Sequence, residues 1–284
     1  MSSFIPEMYQ PLVKSLIDSG ILADCTDPFD KKILDYQDEH GQTALMIASE
    51  EDHSKIVRIL IEAGADLDIQ NEDGATALMN VVHWRKIELA HLLIDAGANV
   101  DIKDYANDFK DYENEETALM YASRKGLTEI AHLLITSGAN LNLRNRDDRT
   151  ALILASMNGH TEIVRLLLEK GVYIDDQDMD RNTALIHATC ESHAIIVELL
   201  IANGTTIDLQ NTYGCTALMN VMSCDDTEIA IKIASLLIEA GADLDIQDDT
   251  QTTALMYAIK NDETEIADLL IEAAARRHDN YKAL

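Results

Sequence analysis

The sequence predicts an all-α solenoid assembled from a repeated helix-turn-helix unit. First, the tripeptide Thr-Ala-Leu begins at Thr43, Thr76, Thr117, Thr150, Thr183, Thr216 and Thr253, with offsets of 33, 41, 33, 33, 33 and 37 residues. Second, each unit carries the same punctuation. An Asp or Asn precedes the threonine (Asp38, Asn71, Asp104, Asn145, Asp178, Asn211, Asp248), and a Gly follows it twenty-one residues later at Gly64, Gly97, Gly138, Gly171 and Gly204. Third, 47% of residues are hydrophobic but only 5% aromatic, a balance that favours helices over a sandwich or barrel.

Within a unit, the threonine suits an N-cap, because its hydroxyl can accept from the open amides of a first helical turn. A short apolar stretch follows (TALMIAS, TALILAS), then a polar turn such as Asn158-Gly159-His160, then a run such as TEIVRLLLEKG with apolar residues at helical spacing. The closing Gly suits a left-handed C-cap. The connection, as in GADLDIQNEDG, alternates apolar and polar residues around Asn, Asp and Gly and reads as an extended turn or β-hairpin. One helix pair cannot bury its own apolar face, so successive pairs must stack.

The 33-residue period and these motifs resemble ankyrin repeats. The resemblance divides the chain into a degenerate N-terminal cap at 1–37 and seven repeats at 38–70, 71–103, 104–144, 145–177, 178–210, 211–247 and 248–284. It implies hairpins projecting from one side and the shorter first helices lining a concave groove. Pro11 to Gly20 looks like a lone second helix. The eight extra residues between Asp104 and Thr117 lengthen one hairpin and bring Tyr105, Phe109 and Tyr112. The offset of 37 falls inside a second helix (TEIAIKIASLLIEAG), where four residues make nearly one turn and keep the apolar face in phase. In the last unit Ala274 replaces the stop glycine, and Arg276, Arg277 and His278 then fall near the helix C-terminus. Two departures stand out. The family's Thr-Pro-Leu-His is here Thr-Ala-Leu-Met or Thr-Ala-Leu-Ile, without the histidine's hydrogen bonds. The glycine two residues before Thr is kept at Gly41, Gly74 and Gly214 but is Glu115, Asp148, Arg181 and Gln251 elsewhere, so those turns should be strained or differently shaped.

The 22 basic and 51 acidic residues leave a formal charge of −29, which disfavours binding to phosphate backbones or anionic membranes. No apolar run reaches the roughly 18 residues a membrane span needs. The start lacks a basic-then-apolar leader, and the four cysteines (Cys25, Cys190, Cys215, Cys224) form no CxxC pair, so a soluble, monomeric protein of a reducing, cytoplasmic compartment is expected. Nucleotide-loop, zinc-protease and hydrolase signatures are missing, and no cofactor or metal is expected. His187, Cys190 and His193 are spaced like ligands, but His193 falls in the register of His53 and His160 at the start of a second helix. Asp66/Asp68 and Asp243/Asp245 lack the glycine and distal glutamate of a calcium loop.

The resemblance further implies a non-enzymatic scaffold or adaptor that binds a protein partner through its groove and hairpin tips. Register then points to Glu50, Glu51, His83, Trp84, Arg124, Lys125, Met157 and their equivalents on the helices, and to Glu72, Asp73, Arg146, Arg149 and Tyr213 on the tips. The insertion aromatics Tyr105, Phe109 and Tyr112 join them. Trp84 is the only tryptophan, and Arg124, Lys125, Arg144, Arg146 and Arg149 are a basic island in an acidic chain. The net charge also suggests a different role, an acidic decoy occupying the basic site of a nucleic-acid-binding protein. A smaller implication is hydroxylation of Asn142, the only asparagine four residues after the Gly of the Gly-Ala-Asp motif.

Overall fold

The computed structural model describes residues 34–105 and 115–282, with side chains from 277 onward left aside. The expected N-terminal cap up to residue 33, and Phe109 and Tyr112, lie outside the described residues. Fourteen α-helices fall within the described part, arranged in helix-turn-helix pairs. These are α1 Ala44–Glu50 and α2 Ser54–Glu62; α3 Ala77–His83 and α4 Ile87–Asp95; α5 Ala118–Lys125 and α6 Thr128–Thr136; α7 Ala151–Met157 and α8 Thr161–Glu169; α9 Ala184–Cys190 and α10 Ala194–Ala202; α11 Ala217–Asn220, continued by a 3-10 turn Val221–Ser223, and α12 Thr227–Glu239; α13 Ala254–Lys260 and α14 Thr264–Lys282. No described helix is long and apolar enough to cross a membrane.

The threonines do cap. Thr43, Thr76, Thr117, Thr150, Thr183 and Thr253 accept the amide three residues on, at 3.2–3.4 Å. Thr216 makes no such bond, and α11 is the short helix that gives way to a 3-10 turn. In two of the repeats where a methionine follows Thr-Ala-Leu, its sulfur supplies an acceptor: the amides of Thr43 and Thr117 donate to Sδ of Met46 and Met120 at 3.5 Å. The second helices stop at glycines with positive φ, and α12 has 13 residues where α10 has 9, as the 37-residue offset requires. At Ala274 the stop is lost because alanine lacks glycine's access to the left-handed region, so α14 runs on to Lys282 instead of ending near Ala275.

The connections are turns, not a sheet. Among the described residues pairing is confined to isolated bridges, Lys103 with Thr117 and Gln177 with Thr183. Side chains hold them instead. Oδ1 of Asp38, Asn71, Asp178, Asn211 and Asp248 accepts two turn amides each, for example those of Asp73 and Ala75 at 3.0 and 2.8 Å for Asn71. Only a short side chain with an oxygen at that reach can do this, which accounts for the Asp/Asn alternation. Adjacent tips are tied by their backbones: Glu72 N donates to His40 O, Tyr105 N to Asp73 O, Met179 N to Asp147 O, Thr212 N to Asp180 O and Asp249 N to Tyr213 O, at 2.9–3.2 Å. Gly74 is required there, because a Cβ on it would lie 2.2 Å from the Tyr105 nitrogen.

Two compact units emerge, one reaching residue 122 and including 127–146, the other comprising 123–126 and 147–284. In the first, α1 packs on α3, and α2, α4 and α6 follow one another. In the second, α7, α9, α11 and α13 form one row and α8, α10, α12 and α14 another. The core of each is the aliphatic stripe between rows. Leu45, Leu78, Leu119, Leu152, Leu185 and Leu218 are each 1% exposed. Leu255, expected to join them, is half-buried. Its helix α13 packs on α11 and α14, whereas α9 is flanked by both α7 and α11.

Candidate functional site

In the first unit the chain turns sharply at the end of α3, and Arg85 takes a φ of 57°. This leaves Trp84 at the C-cap with its indole 53% exposed, although it is the only tryptophan and large aromatics normally gain most by burial. The His83 ring stands edge-on to it, with centroids 5.0 Å apart and planes at 79°. Tyr121 of α5 fixes His83 in turn: its hydroxyl and Nδ1 share a hydrogen bond of 2.9 Å.

These rings line one side of a concave pocket of about 230 Å³. Its other walls come from the end of α1 (Glu50), the tip before α3 (Asp73) and the segment before α5 (Asp104, Glu116), with Gln42, Asn71 and Asn80 between them. Asp104 receives the amide of Glu116 on Oδ1, which draws the start of α5 toward the tip. The Tyr105 ring lies against Gly74, its hydroxyl 3.4 Å from Oε1 of Gln70, and remains half exposed beside the same tip. His83 and Trp84, proposed from register, and Tyr105, proposed as an insertion aromatic, thus belong to one corner of the fold, together with Glu50 and Asp73. Tyr121, Gln42, Asp104 and Glu116 were not read from the sequence as binding positions. The signal available was register alone: Tyr121 stands four residues after its threonine, on α5, the first helix of the pair after that of Trp84.

The other expected residues have different surroundings. Arg124 and Lys125 end α5; Lys125 is exposed, and the Arg124 carbonyl accepts from Nε2 of His160 at 3.1 Å. Arg146 is exposed. Arg149 is engaged within the chain, 3.2 Å from Asp147 and 3.6 Å from the buried Asp178. Met157 is half-buried and its carbonyl faces Nε2 of His193 at 3.3 Å. Tyr213 is 67% exposed on its turn tip.

The spacing that mimicked a metal site has a structural use. His187 holds Oδ2 of Asp178 at 2.8 Å, His193 reaches back to the Met157 carbonyl, and burial pushes the Cys190 thiol up to about 11. Burial alone would also raise the Asp178 carboxyl, but His187, the Asn182 amide and Arg149 together hold it below the usual range. The Asp-x-Asp carboxylates serve amides as well: Asp66 accepts from Asp68 N at 3.0 Å, and Asp68 from Asn99 N of the next unit at 2.8 Å. No group of three potential metal ligands occurs among the described residues.

The family model for ankyrin repeats matches three times, at residues 7–104, 119–211 and 185–282. No curated protein matches the chain significantly. With capped helix pairs, Asx-held turns and a family match over most of its length, the chain belongs to the ankyrin-repeat family.

Proposed function

We propose that the chain is a non-enzymatic scaffold or adaptor that docks a protein partner at the Trp84 pocket. Ankyrin repeats are generally protein-interaction modules. The observation that carries the reading is the half-exposed indole of the only tryptophan at the mouth of a pocket. Such an aromatic anchor, ringed by polar groups that exclude water once covered, is the usual make-up of an interface hot spot. Tyr105 extends the contact along the tip. Arg124, Lys125, Arg146, Arg149, Met157 and Tyr213 are proposed as further contacts on register alone, and Arg149 least so because its ion pairs already engage it. The acidic-decoy reading has only the net charge behind it. The free, half-buried thiols of Cys190, Cys215 and Cys224 fit a reducing, cytoplasmic setting.

Peptides selected by display on the full chain provide the test. Trp84→Ala should weaken the selected binders by at least about 2 kcal/mol, mostly through faster dissociation. Undiminished binding by a folded Trp84→Ala variant would move the interface elsewhere.

A further inference from the structure

We propose that His83 and Tyr121 are positioning residues for the docking site: together they hold the Trp84 indole in its open, half-exposed orientation before a partner arrives. The inference rests on the docking reading above and adds how the anchor is kept ready.

An exposed side chain loses rotational freedom when a partner covers it, and for one such side chain that loss lowers affinity by about threefold to tenfold. A neighbour that restricts it beforehand removes part of the loss. Trp84 has the exposure that makes this matter, 53% at the C-cap of α3. Among the described residues its ring contact is with His83, at 5.0 Å between centroids and 79° between planes. Perpendicular rings are a favoured aromatic arrangement, and turning the indole about its side-chain bonds breaks it. A freely turning imidazole would guide nothing, but His83 is held from the next pair. The Tyr121 hydroxyl shares a 2.9 Å hydrogen bond with its Nδ1, and the two rings lie 5.4 Å apart at 38°. Both residues are half-buried, so water competes less for that bond than at an open surface. The order of the indole at the end of α3 therefore depends on α5, through His83.

The arrangement belongs to this junction alone. It needs a histidine seven residues after one threonine and a tyrosine four residues after the next, and only the units of Thr76 and Thr117 supply both. Tyr257 has the register of Tyr121, but Ser223 stands where its histidine would be, and its hydroxyl donates to Asp248 of its own unit at 2.6 Å. Stacking as such does not call for the pair, since α7, α9, α11 and α13 form their row without it. The junction that has it is the one beside the only tryptophan, where an anchor gains from being fixed in advance.

The sole tryptophan lets the full chain report on the site without a partner. Time-resolved anisotropy of Trp84 emission should show little local rotation in the wild type. Tyr121→Phe removes one hydroxyl and keeps the ring, and His83→Phe keeps a ring and removes Nδ1; each should add a local rotation on the picosecond-to-nanosecond scale. The display-selected peptides then read the consequence. A bound partner holds the indole whether or not His83 does, so Tyr121→Phe should slow association about fivefold and leave dissociation nearly unchanged, unlike Trp84→Ala. The double variant should be no slower than either single one, because both break the same bond. Folding of each variant is checked by circular dichroism and denaturant titration. Lower stability with unchanged anisotropy and association would make the pair structural only and overturn the inference. Faster dissociation from Tyr121→Phe, which would make Tyr121 a direct contact, or additive losses in the double variant, would overturn it as well. Selected peptides that depend on Trp84 yet associate with Tyr121→Phe at the wild-type rate overturn the positioning inference alone, whereas peptides indifferent to Trp84→Ala overturn the docking reading and this inference with it.

Discussion

At the tip of each turn one residue must enter the left-handed region, whatever its type. Glu115, Asp148, Arg181 and Gln251 adopt φ of 52–62°, beside Gly41, Gly74 and Gly214 at 72–76°. Of the two outcomes open at those positions, strain rather than a new turn shape is what the chain takes, because the flanking Asx bonds and tip-to-tip backbone bonds over-determine the geometry. Arg181→Gly should therefore raise thermal stability, by up to about 1 kcal/mol once glycine's greater unfolded entropy is set against the relief, and a lower melting temperature would contradict this. Asp248 makes a second residue-level prediction. Burial would raise its pKa, but the Tyr257 hydroxyl at 2.6 Å, the Thr252 and Thr250 amides and the Thr250 hydroxyl outweigh it and depress it to about 2. A depressed carboxylate contributes stability above its ordinary value of 3.8 and loses it as pH falls through about 2. Acid titration of unfolding should show that loss in the wild type, and Asp248→Asn should flatten it across the same window.

Between elements, the residue just ahead of three of the second helices ties one pair to the pair before it. Lys86, His160 and His193 occupy that position, and each donates to a carbonyl at the end of the preceding first helix, Glu50, Arg124 and Met157 respectively. Those carbonyls have no partner within their own helix, so the neighbouring pair supplies it. The imidazole is seated on a glycine: a Cβ on Gly159 would lie 2.7 Å from the His193 ring, and one on Gly126 2.5 Å from that of His160. His193→Ala removes one such tie and should cost about 1 kcal/mol, measurable by denaturant titration; an unchanged midpoint would mean that the bond has no net worth. The insertion into α12 leaves this scheme in place elsewhere because about one whole turn was added, so Ala230, Ile233, Ala234 and Leu237 all still face the core.

For the whole molecule, stability is the sum of neighbouring interfaces, since each pair touches chiefly the pairs next to it. Leu152, 1% exposed on α7, sits in the core of the second unit. Leu152→Ala should cost about 2 to 5 kcal/mol and should broaden or split the unfolding transition, because a weak central interface lets flanking repeats unfold separately. A small cost with a single sharp transition would mean that the site relaxes around the missing side chain.

The fold was legible in the sequence because every rule that makes it is local and periodic. A threonine that caps, a glycine that stops, an Asp or Asn that folds a tip and an aliphatic stripe at helical spacing recur in register, so seven imperfect copies reinforce one another. Of the extended turn and the hairpin that the alternation in GADLDIQNEDG left open, the turn is the one formed: carboxylates and glutamines there bond backbone groups of neighbouring repeats, as Gln70 does with Gly74 O and Lys103 O, and among the described residues pairing is confined to isolated bridges. The site was legible only in part. Register singled out His83 and Trp84, because an exposed position at the end of a first helix follows from the period. It could not gather Gln42, Asp104, Glu116 and Tyr121 around them, since these come from the repeats on either side of the one that carries Trp84 and meet only when the helices stack. Charge told the same story at two resolutions: composition set the sign of the whole chain, whereas only tertiary packing decided that four of its carboxylates would share one pocket with an uncovered indole, because proximity between units is a property of stacking and not of sequence spacing.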